Sequence, residues 1–275
     1  MKFLTALFVM LATTATANDN SITLSSTTST QNSGLYDYIL PKFTADTGIT
    51  VKVIAVGTGQ AIRIAKNGDA DALLVHHRPS EDAFVNAGYG TQRFDVMYND
   101  FVLVGPQTPK PDLTTLKEFF NQAQKTGAYP FISRGDDSGT HKKERELWTK
   151  YNTDAPSGDW YREIGSGMGA TLNMAASIDA FTISDRGTWL SFGNKRNLMI
   201  KLSGDEILLN PYGLILVNPE KFPHIKAEQA QIFANWMTSP RGQQVIGDFR
   251  VDGKQLFCPD AEKTRAEKIV ACPAQ

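Results

Sequence analysis

Ser133-Arg134-Gly135-Asp136-Asp137-Ser138-Gly139-Thr140-His141 runs directly into Lys142-Lys143-Glu144-Arg145-Glu146-Leu147-Trp148. Upstream, Pro130-Phe131-Ile132-Ser133 has the composition of a strand, and downstream the pattern predicts a helix over Thr140–Tyr151. A strand that empties through a polar, Gly-containing loop into a helix is the unit of an α/β sheet. The loop sets one permanent cation, Arg134, and two hydroxyls, Ser138 and Thr140, at the mouth of the helix, with Gly139 between them. Ser138 or Thr140 can cap that helix, whose first turn leaves backbone N–H groups unpaired and carries the positive end of the dipole. Donors that converge at a helix start suit an anion with several oxygens, and Arg134 adds a planar fork of charged donors. By composition alone the same residues also read as a surface turn. Of the two carboxylates, one can accept from Arg134 and fix its fork while the other caps the helix.

The N-terminal half repeats the unit. Ile22–Ser25 reads as a strand that empties into the hydroxyl run Ser25-Ser26-Thr27-Thr28-Ser29-Thr30. A helix from Ser33 carries Leu35, Ile39 and Phe43 at four-residue spacing and ends before Gly48. Thr50–Val56 is a β-branched strand, Gly57-Thr58-Gly59 turns it into a helix over Gln60–Asn67, and Ala72–Val75 is a third strand. A helix at Ser80–Ala87 and a strand at Val96–Val104 follow. Strand, loop and helix at this spacing predict a mostly parallel α/β sheet, in which ligands bind beyond the carboxyl ends of strands. Thr27–Thr30 and Thr58 occupy such positions. The two hydroxyl clusters are therefore expected to face each other across a cleft and to close on one oxyanion.

Past the central stretch, Gly165-Ser166-Gly167-Met168-Gly169 opens a helix over Ala170–Ser177, Leu198–Leu202 is a strand, and helices are expected at Lys226–Met237 and Pro240–Asp248. Two segments, Tyr98–Pro106 and Asn210–Pro219, are apolar, extended and bounded by Pro or Gly, and read as crossings between two lobes. Residues 105–206 would form an inserted lobe, and 18–104 with 207–275 its discontinuous partner, joined by a hinge. A single large α/β domain is the other reading.

Composition bounds the rest. The 275 residues are 41% hydrophobic and 10% aromatic, which is globular. A formal charge of -1 supplies no global field toward nucleic acid or an anionic membrane, so any anion site is local. Residues 1–17 have the form of a secretory signal: Lys2, an apolar run from Phe3 to Ala12, then Ala15-Thr16-Ala17 as a small-x-small cleavage site. No later run reaches the roughly 18 apolar residues of a membrane span. The two cysteines, Cys258 and Cys272, lie far from the signal, so none is placed for an N-terminal lipid anchor. In an oxidising compartment they are expected to bridge, worth about 3 kcal/mol by loop entropy.

Other motifs carry less. Gly167-Met168-Gly169 has the look of a phosphate cradle, but close packing explains a Gly-rich turn as well. His76-His77 after a strand suggests a metal, yet neighbours on a strand point to opposite faces, and no cationic metal or cofactor is expected. Arg186 in Asp185-Arg186-Gly187 reads as a structural ion pair. The Gly-Asp-Asp-Ser-Gly segment is not a nucleophile elbow, because Asp136 stands where its first Gly belongs. A serine hydrolase acting through Ser138 is a distant alternative.

Together, Ser26-Thr27-Thr28-Ser29-Thr30, Gly57-Thr58-Gly59-Gln60-Ala61, Gly68–His76, Val96–Pro106, Ser133–His141 and Gly167-Met168-Gly169 resemble the exported tungstate-binding (TupA-type) proteins of ABC transporters, in order and over most of the chain. The Arg134…Ser138-Gly139-Thr140 portion alone is shared with phosphate-binding relatives. One departure is Ser26, where the family has Thr. The resemblance implies a two-lobed, type II-like periplasmic binding protein, each lobe a mixed, mostly parallel sheet flanked by helices, with the ligand in the cleft. It implies a tetrahedral oxyanion, tungstate or molybdate, held by Thr27, Thr28, Ser29, Thr30, Thr58, Arg134, Ser138, Gly139, Thr140, Gly167, Met168 and Gly169. It also implies a monomer that delivers the anion to a permease with its ATPase. A phosphate receptor of the same fold is the runner-up. Tungstate has no proton to donate and suits a site of donors only, whereas phosphate is partly protonated and needs an inward carboxylate.

Overall fold

The structure, a computed structural model, describes residues 20–107, 114–151 and 155–261. The expected signal, residues 1–17, and Cys272 lie outside them. Strand β1 (Ser21–Thr27) is central to the first part of the chain. It runs parallel to β2 (Thr50–Val56) along its whole length and parallel to β3 (Ala72–Val75) on its other side. The connections are α1 (Thr28–Asn32), α2 (Leu35–Thr47) and α3 (Thr58–Lys66). Helix α2 is bracketed by Gly34 and Gly48, both with positive φ, and buries Leu35, Ile39 and Phe43 on one stripe.

Helix α4 (Arg78–Asn86) leads to β4 (Gly90–Pro106), a strand of 17 residues. Then come α5 (Leu116–Thr126), β5 (Phe131–Ser133), α6 (Gly139–Tyr151), β6 (Tyr161–Glu163), α7 (Met168–Ser177), β7 (Thr182–Asp185), α8 (Arg186–Ser191) and β8 (Leu198–Leu202). A 3₁₀ turn at Glu206–Leu208 precedes β9 (Leu209–Val217). Helices α9 (Ala227–Thr238) and α10 (Pro240–Asp248) and the short strands β10 (Arg250–Val251), β11 (Lys254–Gln255) and β12 (Cys258–Pro259) complete the described chain.

Strand β4 is shared by two sheet regions. From Gly90 to Asp100 it pairs antiparallel with β9, which continues to β3 and so into the β3–β1–β2 region. From Phe101 to Pro106 it pairs with β7 and β8 instead. Phe181 bridges β7 to β5, and β5 runs parallel to β6. The sheet is therefore mixed. Parallel pairing holds where strand, helix and strand alternate; antiparallel pairing enters at β4 and β9, because both cross from one region to the other in opposite senses.

Each region is packed on both faces, and alternation along the strands decides which side chain goes where. In β3, Leu74 joins Phe43, Leu214, Phe233 and Ile246 beneath α2, α9 and α10, while Leu73 joins Ala61, Phe84 and Ile215 beneath α3 and α4. In β4, Leu103 joins Phe119, Phe120, Phe131, Trp148 and Phe181, and Val102 and Val104 join Ile132, Leu172 and Trp189. Full burial of such side chains is worth about 1.5–3 kcal/mol each.

Two expected elements differ and one strand was not expected. The first strand runs past Ser25 into the hydroxyl run: Ser25–Thr27 end β1 and Thr28–Thr30 open α1, with Thr27 as its cap. Strand β4 begins at Gly90 and not at Val96, because its charged residue Arg93 is held by Glu81 (2.6 Å) and Asp95 (2.6 Å). Strand β6 lay unread in a polar segment. Cys258 is buried on β12 and disulfide-bonded. Among the described residues no helix is long and apolar enough to cross a membrane.

Candidate oxyanion site

The carboxyl ends of β1, β2, β3 and β5 point at one place, and the residues just beyond them meet there. β1 delivers Thr27, Thr28 and Ser29; β2 delivers Gly57 and Thr58; β3 delivers His76; β5 delivers Arg134, followed by Ser138, Gly139 and Thr140 at the start of α6. All of these line one small cavity with Val56. The starts of α1, α3 and α6 converge on it, so unpaired first-turn N–H groups and positive dipole ends do too. The cavity is small and lined mostly by polar groups, with no room for an extended ligand.

Arg134 is 5% exposed and is fixed by Asp136, with Nη2–Oδ2 at 2.5 Å and Nε 3.1 Å from the same oxygen. Burial pushes the Asp136 carboxyl up, but hydrogen bonds from Arg134 and Ser138 outweigh it and hold the group below its usual range. Asp136 therefore turns to the guanidinium and the Ser138 N–H (3.2 Å). Asp137 does not cap the helix. It adopts a positive φ, its side chain is 73% exposed, and its N–H donates to His141 Nδ1 (3.1 Å). The cap is Ser138, whose Oγ accepts from the His141 N–H at 3.2 Å. Neither carboxylate lines the cavity.

Contacts across the cavity are close. The Gly139 N–H donates to Thr58 Oγ1 at 3.1 Å. A Cβ on Gly139 would lie 2.8 Å from His76 Cε1, so only glycine fits between them. Thr140 is 2% exposed, and its Oγ1 is a buried hydroxyl that makes no hydrogen bond among the described residues. A buried polar atom left in that state is costly unless a ligand meets it. Thr27 Oγ1 takes Thr30 Oγ1 (2.8 Å) and Ser29 Oγ (3.1 Å).

Of the expected contact residues, the cavity brings together Thr27, Thr28, Ser29, Thr58, Arg134, Ser138, Gly139 and Thr140. Thr30 lies behind it, fully buried. Gly167, Met168 and Gly169 do not line it: Met168 packs with Ile132 and Leu172, which draws the start of α7 into an apolar cluster. Arg186 pairs with Asp100 through two bonds of 2.5 and 2.6 Å, away from the cavity.

His76 was not expected. It is 6% exposed, stacks on Tyr212 (centroids 4.7 Å), and holds Asn210 Oδ1 through Nδ1 (2.9 Å) and Ser29 Oγ through Nε2 (3.2 Å). Burial lowers its pKa to about 4, and the Arg134 charge adds to the shift, so the ring is neutral at ordinary pH. The signal for it was its place just past the carboxyl end of an inner strand.

Residues 12–241 match the model of the PBP superfamily domain. The tungstate-binding protein TupA of Peptoclostridium acidaminophilum is 49% identical over 88% of this chain and 87% of its own length. The protein of that name from Campylobacter jejuni is 36% identical over 87% and 90%. The solved structure of the tungstate-binding protein TupA from Desulfovibrio alaskensis G20 superposes with a TM-score of 0.79 at 44% identity, covering 88% of this chain and 99% of that one. The chain thus belongs to the PBP superfamily and, within it, to the family of the TupA-type tungstate-binding proteins.

Proposed function

We propose that this chain is the exported receptor of an ABC importer and binds a tetrahedral, proton-free oxyanion, tungstate or molybdate. The observation that carries the reading is the chemistry of the cavity lining: hydroxyls, helix-start N–H groups and one guanidinium, with Asp136 and Asp137 both turned elsewhere. A protonated anion such as hydrogen phosphate would find no carboxylate to accept its proton. The names of the relatives point to the same ligand. The strand pairing supports moving the expected lobe boundary from 104/105 to Asp100/Phe101 and from 206/207 to Leu208/Leu209: residues up to 100 with those from 209 form one lobe and 101–208 the other, and closure brings Gly139 onto Thr58 and His76. In the same reading residues 1–17 are cleaved on export, Cys258 bridges Cys272, and the monomer docks on a permease with its ATPase.

Enzymatic turnover has little support. Ser138 Oγ caps α6, and no imidazole among the described residues accepts a hydrogen bond from it.

The test is a thermal-shift panel on mature protein, freed of carried-over ligand, with tungstate, molybdate, sulfate and phosphate. A ligand at 100 times its Kd stabilises by about 2.7 kcal/mol. A shift led by tungstate or molybdate is expected; a shift led by phosphate, or none at all, would overturn the reading.

A further inference from the structure

A buried chain of side chains leads away from the cavity to the two crossing strands. Ser29 Oγ meets His76 Nε2, His76 Nδ1 meets Asn210 Oδ1, and Asn210 Nδ2 meets Asn99 Oδ1 at 2.7 Å and the Tyr212 hydroxyl at 3.3 Å. Asn99 and Asn210 are direct partners in the β4–β9 register, one residue before β4 leaves β9 for β7. All four polar residues of the chain are buried.

The heavy-atom positions admit two polarities. In one, Asn210 Oδ1 accepts from Nδ1–H, so Nε2 is a lone pair that takes the single Ser29 proton. Ser29 then turns lone pairs toward the cavity, which is wrong for an anion. In that polarity Asn99 Nδ2 is also a buried donor with no hydrogen bond among the described residues. Turning over both amides and moving the imidazole proton to Nε2 reverses every bond without moving a heavy atom. Asn99 Nδ2 then donates to Asn210 Oδ1, Asn210 Nδ2 donates to Nδ1, Nε2–H donates to Ser29 Oγ, and the Ser29 hydroxyl, released from Nε2, donates to a ligand with Thr27 Oγ1 (3.1 Å) as its only other acceptor among the described residues. The reversed chain therefore satisfies the orphaned Asn99 donor and makes Ser29 one more donor in the site.

We propose that His76 is a positioning residue that, as the neutral Nε2–H tautomer, holds Ser29 as a donor to the bound oxyanion, with the Asn99–Asn210 pair on the crossing strands fixing that polarity. The inference rests on the oxyanion reading above and deepens it: the cavity excludes protonated anions by orienting hydroxyls as well as by lacking carboxylates. Burial, with the Arg134 charge added, keeps the ring uncharged, and Tyr212 stacks on its face, so the polarity is set by a tautomer and not by a proton taken from solvent.

The direct test is two-bond ¹H–¹⁵N correlation on protein labelled at histidine nitrogen and saturated with molybdate, which reports the protonation of each ring nitrogen. His76 is assigned by its absence from the His76→Gln spectrum. The expected result is a proton on Nε2 and none on Nδ1. A proton on Nδ1 alone would overturn the proposal. So would protons on both nitrogens, with affinity rising as pH falls.

Titrations give an independent arm. Ser29→Ala and His76→Phe are each expected to weaken molybdate binding by 10-fold or more, and the double variant no further than either single one. His76→Gln, whose amide can still donate to Ser29, is expected to stay within a few fold of the parent. Additive losses, or a His76→Gln as weak as His76→Phe, would overturn the relay while oxyanion binding itself survives. Absence of oxyanion binding by the unmodified protein would instead overturn the proposed function on which the relay rests.

Discussion

Gly139→Ala separates closure from folding. The added Cβ would lie 2.8 Å from His76 Cε1, 3.1 Å from Nδ1 and 3.3 Å from Thr58 Oγ1. Both neighbours sit beyond strands of the β3–β1–β2 region, whereas Gly139 opens α6 on the other side of the cavity. His76 cannot give way, because it is stacked on Tyr212 and tied at both nitrogens. Overpacking of this kind costs about 1–3 kcal/mol. If the lobes separate without ligand, that cost falls on the closed complex alone, and affinity drops by about 5- to 150-fold. The open protein gains a slightly better helix former at the first position of α6 and keeps its melting temperature. The assay is a titration calorimetry series paired with melts of ligand-free protein. An unchanged Kd would refute the contact. A ligand-free melt that falls as far as the liganded one would show that the contact belongs to the resting fold, and so refute the closing cleft.

Further predictions concern single groups. Arg134→Ala removes a charge-assisted donor from a buried anion and leaves Asp136 to repel it, so affinity is expected to fall by at least about 2 kcal/mol by titration; a loss below twofold would make Arg134 purely structural. Thr140→Val replaces a buried hydroxyl that makes no hydrogen bond among the described residues, so ligand-free protein should gain about 1 kcal/mol of stability and melt higher while oxyanion affinity drops about tenfold. A lower melt together with full affinity would contradict both halves. Glu144 is buried behind α6, accepting from Tyr161 (2.8 Å) and Trp148 (3.2 Å), and burial raises its pKa to about 7. The folded state therefore holds a proton that the unfolded chain loses near pH 4.5, so the Glu144 contribution to stability falls as pH rises from about 4.5 to 7 and is flat above, opposed in that window by His76 and His77, which burial lowers to about 4. The contribution is about 3 kcal/mol as an order of magnitude. Glu144→Gln should make the slope of stability against pH more positive across this range in denaturant titrations, Glu81 and the two histidines being unchanged, and an unaltered slope would exclude a Glu144 contribution.

How far the sequence could be read depended on whether a feature was local. Arg134, Ser138, Gly139 and Thr140 were legible because a strand end, a loop and a helix start are contiguous there, and that arrangement alone places donors. Helix α10 and strand β8 have the bounds expected from their punctuation by Pro and from β-branched and apolar composition. Gly167-Met168-Gly169 carried the same local signal as Gly139 but not the same outcome, because Met168 is claimed by the apolar cluster around Leu172. Local chemistry makes a helix start, and only tertiary packing decides what it faces. His76 was illegible for the converse reason. Its partners are Ser29 and Asn210, the latter 134 positions away, so its role exists only after β3 and β9 have paired. The charged first half of β4 was missed because Arg93 and Glu81 neutralise each other only in the folded sheet.

The most direct measurement is anomalous diffraction at a tungsten absorption edge from crystals of the mature protein grown with tungstate. The account predicts one strong peak per chain, enclosed by Arg134, Thr140, Ser29 and the start of α3. A peak elsewhere, such as the wider groove beside Lys143, Lys150 and Pro211, or no peak in crystals shown by titration to be saturable, would contradict it.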